Sequence, residues 1–524
     1  MACSTTLDIN PSKDIPIDKA LNSSVSIENA LQSAYAAMAD TNLMGGNMFV
    51  IPIVLSDQVE RTSTPLGADE AQIYNRNLSP DNSQINDTWR WAYRVINRVN
   101  LVIEKCESGE NIDSDFDNNK DRFLGESYFL RGLMHFELAK LFAAPYNATT
   151  AAQPSILLRT APVSDRSGTP PATLAAVYSQ IIADLEKAKS LLPASYIPDQ
   201  TAPIGTGLVV NGRATADAAQ GYIAQVYMQM GAATGPDADR TIAAIDKTIG
   251  VALDSVNSID LQSIPEYPIK YPLVSSNSFS NLFTSTGPRW QQFKPGPSPK
   301  SEVIFGALNA TLNGRSRSTY LARKLCYDPL RGFSSPNYGV SGLVLDGGVA
   351  GQKFGTLYTA REIRRLFLSN FNGKSAVNKY SNFQTVNIIL LRSPELMLNR
   401  AELMLSRNAP GDVGKALSDL LSVKARGNAL SYIDISITSP SFFRNFNRLK
   451  QIAKNATSSA ESRDTLLREV RNERLREFLF EPNRFFDLKR VGAAIPATAD
   501  RPSADTKTLF LPIPTSETDN NLAF

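Results

Sequence analysis

Apolar side chains recur at intervals of three and four along two long parts of the chain, and the repeat breaks down between them. The cleanest case is TPPATLAAVYSQIIADLEKAKSLLP. There Leu174, Val177, Tyr178, Ile181, Ile182, Leu185, Ala188 and Leu192 fall on one helical face. Thr169 with Pro170 and Pro171 predicts its start, and Pro193 its end. GRATADAAQGYIAQVYMQMG repeats the pattern through Ala219, Tyr222, Ile223, Val226, Tyr227 and Met230, with Gly231 as a stop. After a turn at Gly235 and Pro236, DADRTIAAIDKTIGVAL predicts a partner helix. A second hairpin joins SPELMLNRAELMLSRN through APGD to VGKALSDLLSVKARGN, where Ser393 and Pro394 suit the cap and the first turn. Two longer helices are predicted in DTWRWAYRVINRVNLVIEKCE and NKDRFLGESYFLRGLMHFELAKLFAAPY. Helix pairs with short turns and small-residue crossings such as RAELML predict a mainly α fold of tetratricopeptide-like units.

Between Ser258 and Gln384 the helical pattern fades. The segment SIPEYPIKYPLVSSNSFSNLFTSTGPRWQQFKPGPSPKS carries seven prolines and six aromatics. Prolines at that density exclude helix, and the aromatics argue against disorder. The expectation is a helical scaffold over about 25–257 and 385–492 carrying an irregular, loop-rich lobe over about 258–384.

Composition adds mainly exclusions. At 524 residues, 42% hydrophobic and 20% charged, the chain reads as folded and globular. A net charge of +3 gives no footing for nucleic-acid binding. No apolar run is long enough to span a membrane. The cysteines are Cys3, Cys106 and Cys326, an odd number that suggests no disulfide framework. Cys106 shares helical spacing with Val99, Val102 and Ile103 and is expected in the core. Cys3 lies in a polar tail with no packing role. It reads as a lipid attachment point behind a leader already removed. The single histidine, His135, sits in an apolar helix and is expected to be packed. A Ser-His-Asp or multi-histidine metal site would have to be built around that one residue. No CxxC, HExxH, Walker loop or GxSxG occurs, and LDGGVAGQKFG reads as a loop. No enzyme, cofactor or metal site is therefore expected.

NERLREFLFEPNRFFDLKRVG mixes charge into an apolar face. On a helix from about Asp464 to Glu481, Leu467, Val470, Leu475 and Phe478 share a broad face with Arg471 and Arg474. Glu477 and Glu481 follow on the same side. Buried arginines must be paired, so Arg471, Arg474, Glu477 and Glu481 are expected to form a buried structural brace.

This stretch resembles the C-terminal signature of the SusD/RagB family of Bacteroidota outer-membrane lipoproteins. Other blocks fit the family in order: WRWAYRVINRVNLVIEKCE, GESYFLRGLMHFELAKLFAAPY, VYSQIIADLEKAKSLLP, SEVIFGAL, KYSNF, LRSPELMLNRAELMLSRN and LFLPIPTSETDNN. Where the family often has Gly-His, this chain has Pro482 and Asn483, expected as a turn variant. Only Asp8 supplies acidity soon after Cys3. The resemblance implies a lipoprotein tether over 1–24 and one domain over 25–524, built on about four tetratricopeptide-like pairs. It implies lipidation at Cys3 and anchoring in the outer membrane, facing outward. It also implies a SusC-like TonB-dependent transporter as partner, and non-enzymatic capture of oligosaccharide or, alternatively, peptide. A scaffold with no ligand of its own is the third possibility. Sugar rings stack on aromatics and need amide or charged partners. The ligand candidates are therefore Trp290 with Arg289, Gln291 and Gln292, and Tyr74 with Asn75 and Asn77, read as a loop. Tyr267 and Tyr271 stand behind them. Trp89 and Trp91 are expected to pack.

Overall fold

The computed structural model describes residues 20–110, 112–163, 168–194, 212–231, 235–254, 270–273, 302–307, 338–340, 368–371, 374–377, 388–428 and 440–524. Cys3, Cys326, Tyr267, Arg289, Trp290, Gln291, Gln292 and the glycine-rich stretch at 345–355 lie outside them.

The described structure is mostly helical. Helix α1 (Ser24–Met38) opens on a capping box between Ser23 and Ser26. Helices α2 (Asn47–Leu55) and α3 (Ala68–Tyr74) follow, with strand β1 (Val59–Arg61) between them. Helix α4 (Ser83–Ser108) starts where Asn82 accepts from the amides of Gln84 and Ile85 at 3.1 and 3.2 Å. It ends at Gly109, in the left-handed region. Helix α5 (Phe116–Phe142) is the axis of the scaffold, every residue from Phe123 to Ala139 being buried. A short antiparallel pair, β2 (Pro154–Leu157) and β3 (Pro171–Thr173), leads into α6 (Leu174–Leu191). The helix predicted from Thr169 thus starts later. Pro171 opens β3, and Thr173 is the cap that accepts from Ala176.

Helices α7 (Ala216–Gln229) and α8 (Gly235–Ile249) form the expected hairpin. In the lobe region the described elements are strands only: β4 (Val303–Ala307), β5 (Tyr338–Val340), β6 (Leu368–Phe371) and β7 (Lys374–Val377). Strand β8 (Ile388–Arg392) runs directly into α9 (Ser393–Arg407), whose cap is Arg392 rather than Ser393. After a turn through Asn408 and Gly411, both at positive φ, come α10 (Asp412–Asn428), α11 (Pro440–Ala456) and α12 (Ala460–Glu477). Short helices α13 (Asn483–Arg490) and α14 (Thr515–Asn520) complete the chain.

From α4 to α10 each helix packs on the next, as expected of tetratricopeptide-like pairs. Glycine permits the closest of these contacts. A Cβ on Gly132 of α5 would lie 3.2 Å from the Asp184 Cβ of α6, and one on Gly125 would lie 2.9 Å from Leu192. Helix α12 closes against α9, α10 and α11, while α13 reaches back to α2. Strand β4 pairs antiparallel with β8, Phe305 opposite Leu391. Strand β1 pairs likewise with β5, Glu60 opposite Gly339.

Candidate functional site

The charges of the C-terminal stretch converge where β4, β8, α10 and α12 meet. Arg392 is 1% exposed. Its Nη1 donates to Glu302 at 3.1 Å and to Glu477. Its Nη2 donates to Glu481 at 2.8 Å and to the Glu477 carbonyl at 3.0 Å. Arg426 of α10 serves Glu302 and Glu477 from the other side. Two guanidiniums thus hold three buried carboxylates. Burial opposes the charge on Arg392, but Glu481, Glu477 and Glu302 outweigh it and keep the guanidinium well above its ordinary value.

A brace is therefore present, but with other partners than the sequence suggested. Helix α12 stops at Glu477, and Phe480, at φ +58°, turns the chain into α13. That turn carries Glu481 away from Arg474 and brings Asp487 to it. Arg474 is buried, donates to Asp487 at 2.8 and 2.9 Å, and reaches Asn399 on α9. Arg471 is not part of any buried brace. Its side chain is 48% exposed and meets Glu402 at 3.3 Å. Glu402 is held mainly by Arg490, at 2.6 Å. Burial would raise the Glu402 carboxyl, yet Arg490, then Arg474 and Arg471, bring it down to about 2.

Beside the brace lies a cleft of about 70 Å³, with α2, α5, α7, β8, α9 and α13 around it. Met44, Met48, Phe136, Tyr222 and Phe486 supply apolar wall. Gln225, Glu395, Asn399 and Asn483 supply polar groups. Burial pushes the Glu395 carboxyl up to about 7. Asn483, which follows Pro482 and begins α13, donates to Glu395 at 2.6 Å.

Tyr74 ends a helix rather than standing in a loop, and its ring is turned inward at 2% exposure. The hydroxyl accepts from the Arg61 amide at 2.8 Å and donates to Asp500, while the Arg501 guanidinium lies 4.3 Å over the ring. It buttresses β1 instead of offering a stacking face. Asn75 and Asn77, just beyond it, are exposed. Tyr271 is also buried, its hydroxyl donating to Asp217 at 3.2 Å. Trp89 packs in the core and donates to Glu517 at 2.9 Å. Trp91 is only half-buried and carries the Arg94 guanidinium 5.3 Å from its ring centre. The sequence did not single it out as a surface aromatic, because its helix already explained it. Cys106 is free and buried. His135 is packed, its Nδ1 facing the Arg131 carbonyl at 3.0 Å, and burial lowers it to about 3. Among the described residues no cluster of metal-binding side chains occurs, and no helix is long and apolar enough to cross a membrane.

Two family models match the chain. One, described as "Starch-binding associating with outer membrane", covers residues 7–228, and one for the SusD family covers residues 346–523. Among curated proteins none matches the sequence. The fold is similar to the crystal structure of a SusD superfamily protein from Bacteroides thetaiotaomicron VPI-5482. That pair is 20% identical, with 97% of this chain and 98% of that one covered and a TM-score of 0.69. A putative sugar binding protein from Bacteroides vulgatus ATCC 8482 is similar at 21% identity, 96% and 97% coverage and a TM-score of 0.68. A SusD-like carbohydrate binding protein from the same organism is similar at 17% identity, 95% and 97% coverage and 0.66. With both ends of the chain matched and the helical architecture shared, this protein belongs to the SusD/RagB family.

Proposed function

We propose that the protein is a non-enzymatic lipoprotein that captures oligosaccharide at the outer face of the outer membrane and passes it to a SusC-like TonB-dependent transporter. The observation that carries this reading is the match of residues 7–228 to a family described as starch-binding and outer-membrane-associated. Two similar structures are themselves named as sugar or carbohydrate binding. Cys3 supplies the lipid anchor. Trp290, with Arg289 beside it and Gln291 and Gln292 following, is the stacking platform, and the exposed amides of Asn75 and Asn77 are candidates to meet hydroxyls. Trp91 under Arg94 is a further aromatic surface of the right kind. The helical scaffold is rigid and buried, which suits a platform that holds loops in place.

Titration calorimetry of the full chain against a panel of polysaccharides and peptide mixtures tests the reading. Binding to an oligosaccharide supports it. Binding to peptides alone turns the function to peptide capture, and binding to nothing leaves a transporter scaffold. Fatty-acid labelling of cells checks the anchor: a Cys3→Ala protein that still takes up label and stays with the membrane would remove Cys3 from that role.

A further inference from the structure

The cleft beside the brace has an imbalance that its own residues do not resolve. Three of its acids are paired with cations of the same cleft: Glu137 with Lys140 at 2.7 Å, Glu481 with Arg392 at 2.8 Å and Asp487 with Arg474 at 2.8 Å. Glu395 is the fourth, and among the described residues its carboxylate forms no ion pair. Its Oε1 accepts one hydrogen bond, from Asn483. Burial pushes its carboxyl up to about 7, and the positive charges of Arg474 and Lys140, neither of them in an ion pair with it, offset only part of that rise.

A second group is also unsatisfied. Gln225 is 8% exposed, and its Nε2 has no hydrogen-bond partner. The orientation of that amide is fixed by its neighbours. Arg474 donates to the Asn399 oxygen, so Asn399 must donate through Nδ2, and it does so to Gln225 Oε1 at 3.3 Å. The Gln225 NH2 is left over in a cleft whose walls include Phe136, Tyr222 and Phe486. An unpartnered buried donor is destabilising, and an occupant that accepts from it removes that cost.

We propose that this cleft binds a small protonated amine carrying an oxygen acceptor on the neighbouring carbon, the ammonium against Glu395 and the oxygen against Gln225 Nε2. An anion would face Glu395 unpaired. A neutral diol would satisfy Gln225 but leave the carboxylate without charge compensation. About 70 Å³ is room for a group the size of roughly two waters, with the rest of a larger molecule outside. Amino sugars and amino-acid amides share this chemistry. The site is independent of the capture reading, since it lies in the helical scaffold and uses none of its platform residues.

Calorimetry and thermal melts of the full chain with ethanolamine, ethylamine and ethylene glycol test it. Ethanolamine should bind and raise the melting temperature, ethylamine should bind more weakly, and ethylene glycol should do neither. Glu395→Gln, which can still accept from Asn483, should weaken ethanolamine at least tenfold. Gln225→Leu should erase the advantage of ethanolamine over ethylamine. In the unaltered protein the Glu395 carboxyl, followed by carbon NMR, should titrate at lower pH once ethanolamine is bound, a readout that does not depend on any variant folding. Equal binding of ethylene glycol, full retention by Glu395→Gln, an unmoved Glu395 titration or no binding at all would each overturn the proposal. Glucosamine against glucose, and glycinamide against acetamide, identify the source. An amine that outbinds its neutral counterpart supports the site, and failure of both pairs sinks it.

Discussion

The α5–α6 packing and the β4–β8–α12 junction use the same residue for different tasks. At the first, Arg131 donates to Asp184 at 2.7 and 2.8 Å and also serves Asn100 and the Thr160 carbonyl. One cation meets one carboxylate between two long helices that already share a large apolar contact. Even so paired, Asp184 is held above its ordinary value by burial. At the second, Arg392 and Arg426 hold Glu302, Glu477 and Glu481, brought together from the residue before β4, a helix end and a turn. The difference lies in what remains when the arginine is lost. Asp184 can take up a proton and become neutral. Three adjacent carboxylates sharing one remaining guanidinium must be neutralised at greater cost.

Arg392→Ala should therefore give the largest loss, about 3–5 kcal/mol, measured by denaturant unfolding monitored by circular dichroism. Arg131→Ala should fall at the low end of that range, about 3 kcal/mol, because only one acid is stranded. Equal losses would mean that the number of carboxylates per cation does not set the cost.

Acid sharpens the same comparison. The Glu402 carboxyl is held at about 2 in the folded protein, below the ordinary 4.5, by Arg490 and its neighbours against the effect of burial. A depressed carboxylate contributes stability that is fully present above pH 4.5 and is lost as pH falls toward 2. Asp184, shifted upward, contributes in the opposite sense. Thermal melts between pH 5 and pH 2.5 should show a steep acid arm that becomes shallower in Glu402→Gln. An unchanged slope would mean that Glu402 binds protons alike in the folded and the unfolded chain.

The helices could be read from the chain because each is a local pattern: α6, α7, α9 and α10 follow apolar spacing that any neighbour would preserve. Chain direction beyond a helix end is not local, and there the reading failed. A helix continued to Glu481 places Glu477 and Glu481 beside Arg474, whereas α12 ends at Glu477. Phe480 in the left-handed region, unusual for a bulky side chain, gave no signal of the turn that hands both acids to Arg392. Arg392 itself was invisible as a brace, since it stands 85 residues from Glu477 in sequence. Tyr74 misled for a related reason. AQIYNRNLSPDN looks like a loop until Asp500 and Arg501, more than 400 residues later, close over the ring. The cleft was equally hidden, because its unpaired Glu395 is defined only by which cations went elsewhere.

The lobe offers a contrast in binding rather than stability. Trp290→Ala should weaken the oligosaccharide found by the panel by roughly tenfold, about 1.4 kcal/mol, with little change in melting temperature. Unchanged affinity would move the platform to Trp91 and Arg94.

The smallest effect belongs to Arg471, and it is the sharpest check on the brace. It lies one turn of α12 before Arg474 and carries the same charge, yet its side chain is 48% exposed. Its contact with Glu402, at 3.3 Å, is shared with Arg490, whose Nη2 is closer at 2.6 Å and whose side chain is 7% exposed. When Arg471 is removed, Glu402 keeps its principal cation, and no buried charge is stranded. A pair whose cation is half-exposed and whose acid keeps a closer arginine contributes about 0.2–1 kcal/mol. Arg471→Ala should accordingly cost less than about 1 kcal/mol, whereas Arg474→Ala, which strips Asp487 and Asn399 of a buried partner, should cost about 3 kcal/mol. Parallel denaturant melts of the two variants decide the point. A loss at Arg471 as large as that at Arg474 would show that Glu402 depends on both arginines and that the brace extends to the surface of α12.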